Sequence, residues 1–248
     1  MAQMHIKFYS TILQLMTTVN VIVPDSIAPE RPPAVLYLLH GLGGDADSWL
    51  TQTPLVRYVG DRQLIVIMPE VHRSFYADMI CGNHYWTYLT NELPQKIKTW
   101  FPLTSDARRC FVAGLSMGGY GALKWGLNEP EKFVGIASMS GAVDIRSAKL
   151  WNHERPEEFN WIFGADVKPA SDLFALVDRV SAVDGRKPEI IQFCGSADFL
   201  YEENQRFKTK LDSSTLPHRY IEKAGAAHEW SYWDQAIQTT LNWIEQKS

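Results

Sequence analysis

A serine framed by glycines stands out in the segment GLSMGGYGALKWG, residues 114–126. Ser116 is the centre of a Gly-x-Ser-x-Gly pattern, with Gly114 before it and Gly118 after it. This spacing is typical of a sharp strand-to-helix turn that exposes the serine hydroxyl at its apex, where glycines avoid Cβ collisions. A serine hydroxyl becomes a nucleophile only when a base takes its proton. The pattern predicts acyl-transfer chemistry at Ser116; the alternative is an idle serine in a glycine-rich turn.

The base is sought among seven histidines. In serine hydrolases with this turn, the order along the chain is nucleophile, acid, histidine. His228 lies in AGAAHEW, after the last predicted strand and before the final predicted helix, which places it at the same sheet edge as Ser116. His218 would begin that last strand and so lie at the opposite edge. We therefore predict His228 as the general base.

The acid is expected to follow the preceding strand. The segment EIIQFCGSAD ends at Asp198, which is the correct edge, whereas Asp184 precedes the strand and would lie at the wrong end. A buried carboxylate at this position would fix the imidazole tautomer and stabilise the imidazolium. Asp198 is therefore the predicted acid.

Oxyanion stabilisation requires backbone N–H groups near the serine. The residue after the nucleophile supplies one donor, and the loop after an early parallel strand supplies the other. LYLLHGLGGDADSW places such a loop directly after the strand at 34–41. We predict Leu42 and Met117 as the two donors, and we interpret His40 as a structural residue of that loop.

The order of elements predicts a chain that brings these residues together. Strand-like segments alternate with segments of helical length, which predicts an α/β protein with a mainly parallel sheet and helices on both faces. The two opening strands look antiparallel, which would make the sheet mixed. The predicted strands are residues 4–10, 14–24, 34–41, 64–70, 110–116, 133–141, 189–198 and 218–225. The predicted helices are residues 53–61, 86–100, 117–128, 201–212 and 230–246.

The long connection at 144–187 is predicted as a cap-like helical insertion that walls the substrate pocket. No internal repeat divides the chain, so we predict one domain over residues 1–248. Aromatic side chains near the predicted edge are candidates for the pocket wall, although each could equally belong to the core. They are Trp49, Phe75, Tyr76, Trp151, Trp161 and Trp230.

Composition narrows the partner classes. The 248 residues carry a net charge of −4 and 46% hydrophobic residues, which is ordinary globular composition and argues against nucleic-acid binding. No apolar run is long enough to span a membrane and no export signal is evident, so a cytoplasmic location is expected. Asp45 and Asp47 are interpreted as turn residues, so no metal or cofactor is predicted. The sequence leaves a homo-oligomer open.

Taken together, LLHGLGGDADSW, GLSMGGYGALK, CGSADFLYEEN and GAAHEWSYWD resemble the α/β-hydrolases of the esterase D and S-formylglutathione hydrolase type. The resemblance covers nearly the whole chain and is closest to small bacterial acetyl or tributyrin esterases. It implies an eight-stranded α/β-hydrolase fold and a metal-independent serine carboxylesterase for short acyl chains, acetyl to butyryl, acting through an acyl-enzyme. The family's nucleophile, acid and base fall on Ser116, Asp198 and His228, and its oxyanion amides on Leu42 and Met117.

Two alternative substrates keep the same machinery. The segment at 73–94 departs from the loop usual in S-formylglutathione hydrolases, which argues against a glutathione thioester without removing it as an alternative. Aromatic loops would also permit a feruloyl or cinnamoyl ester. A reading from another class, a binding protein that has lost catalysis, conflicts with three intact triad positions.

Overall fold

A computed structural model describes residues 1–25, 27, 32–101, 109–151 and 155–247 of the chain. Within these residues, eight strands form a single sheet in the order β1-β2-β4-β3-β5-β6-β7-β8. The strands are β1 (Ala2–Ser10), β2 (Leu15–Val23), β3 (Ala34–Leu39), β4 (Leu64–Pro69), β5 (Cys110–Leu115), β6 (Gly135–Met139), β7 (Glu189–Gly195) and β8 (His218–Lys223).

The sheet is mixed and mainly parallel, as expected from the sequence. β2 runs antiparallel to both β1 and β4, and the remaining neighbours are parallel. Every residue of β3, β4 and β6 is buried, which is why these strands are continuous apolar runs rather than alternating ones. The α/β-hydrolase fold is confirmed.

Helices cover both faces of this sheet. They are α1 (Ser48–Gln52), α2 (Leu55–Val59), α3 (Tyr85–Thr87), α4 (Leu93–Trp100), α5 (Met117–Asn128), α6 (Glu158–Phe163), α7 (Leu173–Ser181), α8 (Tyr201–Asp212) and α9 (Trp230–Lys247), with a π-helical turn at Tyr88–Glu92 between α3 and α4. The helix expected at 53–61 is the shorter α2, and α1 precedes the expected segment. Thr53 between them is extended because the residue before a proline, here Pro54, avoids the helical region.

The core consists of two apolar layers, one on each face. Alternate residues of β3 enter different layers: Leu36 and Leu38 pack with α1, α2 and α9, whereas Tyr37 packs with α4, α5, α7 and α8. This alternation follows from the two-residue period of a strand. Within the described ranges, no helix is both long and apolar enough to cross a membrane.

The insertion at 144–187 is helical, as expected, and residues 152–154 of it lie outside the described residues. It contains 3-10 turns at Ala148–Leu150 and Pro169–Ser171 in addition to α6 and α7. α7 packs against α5, the helix that begins next to Ser116. α6 is tied to the loop after β4 by two hydrogen bonds between Arg73 and Glu158, of 2.6 and 2.7 Å. The insertion is therefore anchored to α5 and to the loop after β4, but none of its described residues lines the cavity beside Ser116.

Candidate active site

Ser116 occupies the turn between β5 and α5. Its backbone has φ 53° and ψ −118°, outside the helical and extended regions that residues other than glycine usually adopt. The Ser116 N–H donates to the Met139 carbonyl at 2.8 Å, which ties the turn to β6. A Cβ atom on Gly114 would lie 2.3 Å from the carbonyl oxygen of Gly118, so the strand and the helix can meet this closely only without side chains.

A histidine and a carboxylate continue from the serine in a hydrogen-bonded row. His228 Nε2 lies 2.9 Å from Ser116 Oγ, and His228 Nδ1 lies 3.0 Å from both carboxylate oxygens of Asp198. A carboxylate accepts hydrogen bonds, so the proton of neutral His228 resides on Nδ1 and Nε2 is free to accept the serine proton. The three residues follow β5, β7 and β8, whose carboxyl ends share one edge of the sheet.

Asp198 is buried, with 5% of its surface exposed. Burial alone would raise the pKa of Asp198, but hydrogen bonding and the charge of His228, with further bonds from the Leu200 amide and the Ser140 hydroxyl, hold that pKa below its ordinary value. Asp198 is thus ionised at neutral pH. It can orient the imidazole and stabilise its protonated form.

Two residues that contact this row were not predicted from the sequence. Trp233 Nε1 donates to Ser140 Oγ at 3.0 Å, and its indole ring meets the His228 ring edge-on at a centroid distance of 4.8 Å. Ser140 follows β6 at the same sheet edge as Asp198, and Trp233 lies in the first turns of α9, just after His228. A position at the carboxyl end of a strand, for Ser140, and a position close after the predicted base, for Trp233, are the sequence features that could have identified these residues.

The backbone N–H groups of Leu42 and Met117 lie on the two segments that meet at Ser116. Met117 is the first residue of α5, where helix N–H groups have no partner within the helix. Leu42 lies in the 40–44 loop after β3. A Cβ on Gly118 would lie 2.4 Å from the Leu39 carbonyl oxygen and 2.7 Å from that of His40, so the end of β3 and the start of this loop rest directly on the first turn of α5.

An open cavity of about 350 Å³ lies against the serine and the histidine. It is formed by the 40–44 loop, helix α1, the serine turn and the start of α9. The lining residues are Gly41, Leu42, Gly43, Gly44, Ser48, Gln52, Leu115, Ser116, His228, Trp230 and Trp233. A ligand in this cavity would have its reacting atom beside Ser116 Oγ and the Leu42 backbone.

Of the six aromatic candidates for the pocket wall, Trp230 lines this cavity, and Trp49 packs edge-on behind it at a ring distance of 5.2 Å. Trp49, Phe75 and Tyr76 are buried in the core, each at most 1% exposed. Trp151 packs on Phe75 at 4.9 Å. Trp161 is 48% exposed on α6.

His40 is held as a structural residue, as the sequence suggested. The Val71 N–H donates to His40 Nε2 at 3.2 Å, so the ring proton lies on Nδ1, which donates to the Gly41 carbonyl at 2.8 Å. Phe199, which follows Asp198, covers the other side of His228 at a ring distance of 4.6 Å and is half exposed. Among the described residues, no cluster of three or more His, Cys, Asp or Glu side chains is arranged to hold a metal ion.

The hydrogen-bonded row of a serine, a histidine and a carboxylate, with backbone amides on the two adjoining segments, matches the constellation of a serine hydrolase. Comparison with known proteins agrees, because a family model for esterases matches residues 10–244. The chain belongs to the Esterase family. This esterase is 31% identical to an acetyl esterase of Caldicellulosiruptor saccharolyticus over 270 aligned positions that cover all of both chains.

Two solved structures are also similar to the esterase at 30% identity, each covering 98% of both chains. FphF, a fluorophosphonate-binding serine hydrolase of Staphylococcus aureus, has a TM-score of 0.87. The S-formylglutathione hydrolase FrmB, also of Staphylococcus aureus, has a TM-score of 0.86. The expected family is confirmed, and the protein is a serine hydrolase of carboxylic esters.

Proposed function

We propose that this esterase hydrolyses short-chain acyl esters, acetyl to butyryl, through an acyl-enzyme on Ser116. Asp198 and His228 complete the proposed triad, and the amides of Leu42 and Met117 are the proposed oxyanion donors. The observation that carries the proposal is the hydrogen-bonded row from Ser116 Oγ through His228 to Asp198, which opens onto a cavity.

In the first half-reaction, Ser116 Oγ attacks the ester carbonyl carbon while His228 Nε2 takes the hydroxyl proton. The carbonyl oxygen becomes an oxyanion between the two amides, and each such donor contributes about 2.7–4 kcal/mol to lowering the barrier. The tetrahedral intermediate collapses as the bond to the alcohol oxygen breaks, and His228 protonates that oxygen. The acyl group is left on Ser116, and the alcohol departs.

In the second half-reaction, a water molecule takes the place of the alcohol. His228 removes a proton from the water as its oxygen attacks the acyl carbon, and the bond to Ser116 Oγ then breaks. His228 returns the proton to Oγ, and the carboxylic acid leaves. Asp198 stays ionised throughout, which agrees with its lowered pKa.

The preference for short acyl chains is supported by the cavity and by the acetyl esterase among the relatives. A volume of about 350 Å³ is near the lower end of the roughly 300–1,000 Å³ typical of ligand pockets. The bulky side chains of Trp230 and Trp233 close part of its wall.

An acyl-chain series of p-nitrophenyl esters from acetyl to decanoyl tests the preference. We expect kcat/KM to be highest between acetyl and butyryl and to fall with longer chains. A flat or rising profile beyond butyryl would contradict the short-chain assignment.

Covalent labelling tests the nucleophile. A fluorophosphonate probe should label the wild type and Ser231→Ala, a control at an exposed serine on α9, and should not label Ser116→Ala. Persistent labelling of Ser116→Ala would place the nucleophile at another residue. An unlabelled wild type would favour a protein without catalysis.

Thioester hydrolysis is a second candidate, favoured by the 30% identity to an S-formylglutathione hydrolase. Comparing kcat/KM for S-formylglutathione with that for p-nitrophenyl acetate would decide between them. The feruloyl alternative stays a prediction, to be tested with methyl ferulate. The single domain, the cytoplasmic location and the homo-oligomer also stay predictions. Limited proteolysis would test the first, cell fractionation the second and sedimentation the third.

A further inference from the structure

Tyr76 contacts the 40–44 loop and is not among the residues that line the cavity. We infer that Tyr76 is a positioning residue that holds this loop against α5, and that Lys124 in turn fixes Tyr76. The inference rests on the proposed function, since it concerns how the Leu42 amide is kept in place as an oxyanion donor. It gives a role to two buried side chains that take no part in the reaction steps.

The hydroxyl of Tyr76 makes the first contact. Tyr76 is 0% exposed, and its Oη donates to the carbonyl oxygen of His40 at 2.8 Å. In the next peptide unit, the Gly41 carbonyl accepts from His40 Nδ1 at 2.8 Å and from the Gly44 N–H at 3.1 Å. Because a trans peptide is planar, the direction of the Gly41 carbonyl fixes the opposite direction of the Leu42 N–H. Two consecutive peptide planes are therefore held in place.

The ring of Tyr76 makes the second contact, on α5. A Cβ atom on Gly121 would lie only 2.5 Å from Tyr76 Cδ2, so the ring lies flat against the helix backbone where a side chain is missing. α5 begins directly after Ser116 and carries the Met117 amide in its first turn. The ring and hydroxyl of Tyr76 thus join the helix of one proposed donor to the loop of the other.

The backbone of Tyr76 makes the third contact. Lys124 Nζ donates to the Tyr76 carbonyl at 2.8 Å, and the Lys124 side chain is buried beneath the Trp86 ring at 4.5 Å. Phe75 and Tyr76 both have left-handed backbones, with φ 48° and 51°. Bulky residues adopt this conformation only where the surroundings impose it. The buried Lys124 amine, whose pKa burial lowers to about 7, is such a constraint through its bond to the carbonyl of this turn.

The experiment compares two tyrosine-to-phenylalanine changes on buried hydroxyls. Tyr120→Phe is the matched control, because Tyr120 is also 0% exposed and also donates to a backbone carbonyl at 2.8 Å, but that carbonyl belongs to Ser171 in the insertion. For each variant, kcat and KM are measured with p-nitrophenyl butyrate, and the melting temperature is measured on the protein alone. Each is also assayed for inhibition by a trifluoromethyl ketone, whose adduct carries an oxygen in the oxyanion position.

We expect Tyr76→Phe to lower kcat about 10-fold with KM changed by less than about threefold, a smaller loss than the 10²–10³-fold typical of deleting an oxyanion donor. The inhibition constant for the ketone should rise by a similar factor, because the ketone adduct resembles the transition state. Tyr120→Phe should change neither kcat nor the inhibition constant by more than about twofold, even if it lowers the melting temperature as much as Tyr76→Phe does.

Lys124→Met provides a second variant that keeps side-chain length and removes the amine. It should also lower kcat, and combining it with Tyr76→Phe should cost less than the product of the single effects, since both act on one structural unit. If Tyr76→Phe keeps the kcat and the ketone affinity of the wild type, the inference is overturned and the proposed function stays intact. If Tyr76→Phe does not fold, the same result in folded Lys124→Met overturns the inference. A wild type without hydrolysis or labelling would instead refute the proposed function, and this inference with it.

Discussion

Alanine at position 118 tests how closely the 40–44 loop must approach the serine helix. The added Cβ would stand 2.4 Å from the Leu39 carbonyl oxygen, about 1 Å inside ordinary contact, which begins at 3.4 Å. Both nearest residues contribute backbone atoms, so no side-chain rotation can relieve the overlap, and the loop must move away from α5. A misplacement of about 1 Å in an active site can cost roughly 10²-fold in rate, or about 2.7 kcal/mol of barrier.

The assay is steady-state hydrolysis of p-nitrophenyl acetate by Gly118→Ala, with Gly126→Ala as the control. Gly126 is on the same helix, and its added Cβ would lie 2.2 Å from Ile136 Cδ1, a side-chain atom in the core. Overpacking there should cost about 1–3 kcal/mol of unfolding free energy and leave kcat within about twofold. Gly118→Ala should lose about 10²-fold in kcat. Equal kcat in two folded variants would refute the argument that loop placement limits the reaction.

Three further predictions concern the acid and the insertion. Asp198→Asn should lower kcat by about 10⁴-fold with the fold retained, because the imidazole loses its tautomer and its counter-charge; kinetics and circular dichroism measure both. The native pKa of Asp198 is lowered, so its stabilising contribution is present above about pH 4 and is lost as pH falls through the native value. The melting temperature should therefore drop more steeply in acid for the wild type than for Asp198→Asn, and parallel curves would contradict this. Glu158→Gln should lose about 1.5–3 kcal/mol of unfolding free energy in urea because it weakens the paired bonds to Arg73. As a control, Lys208→Ala breaks the exposed ion pair with Asp212 and should change the unfolding free energy by less than about 0.5 kcal/mol.

Much of the fold could be predicted because the strands carry their own signal. β3 and β4 are uninterrupted apolar runs with buried residues throughout, and their burial on both faces implies helices on both sides. Chain order then placed Ser116, Asp198 and His228 at one sheet edge, since the carboxyl ends of parallel strands coincide. Local backbone events were harder to predict. The sequence prediction started the helix at Thr53, whereas α2 starts after Pro54, and the π-helical turn at Tyr88–Glu92 interrupts the segment predicted as one helix over 86–100.

The pocket wall could not be predicted from residue type. Three of the aromatic candidates are buried in the core, whereas one lines the cavity: Trp49, Phe75 and Tyr76 against Trp230. Which of the two environments an aromatic residue occupies depends on the path of loops that carry no periodic pattern. Tyr76 shows the consequence. Its sequence position next to the predicted edge suggested contact with substrate, whereas left-handed φ angles turn the chain so that its ring faces α5.

The backbone of Ser116 has a thermodynamic consequence. A non-glycine residue held at φ 53° and ψ −118° destabilises the folded chain by an amount on the order of 1–3 kcal/mol relative to a relaxed turn. Glycine at this position would relieve that strain and remove the hydroxyl that is proposed as the nucleophile. The hydroxyl therefore stands in this turn against the conformational preference of its own backbone.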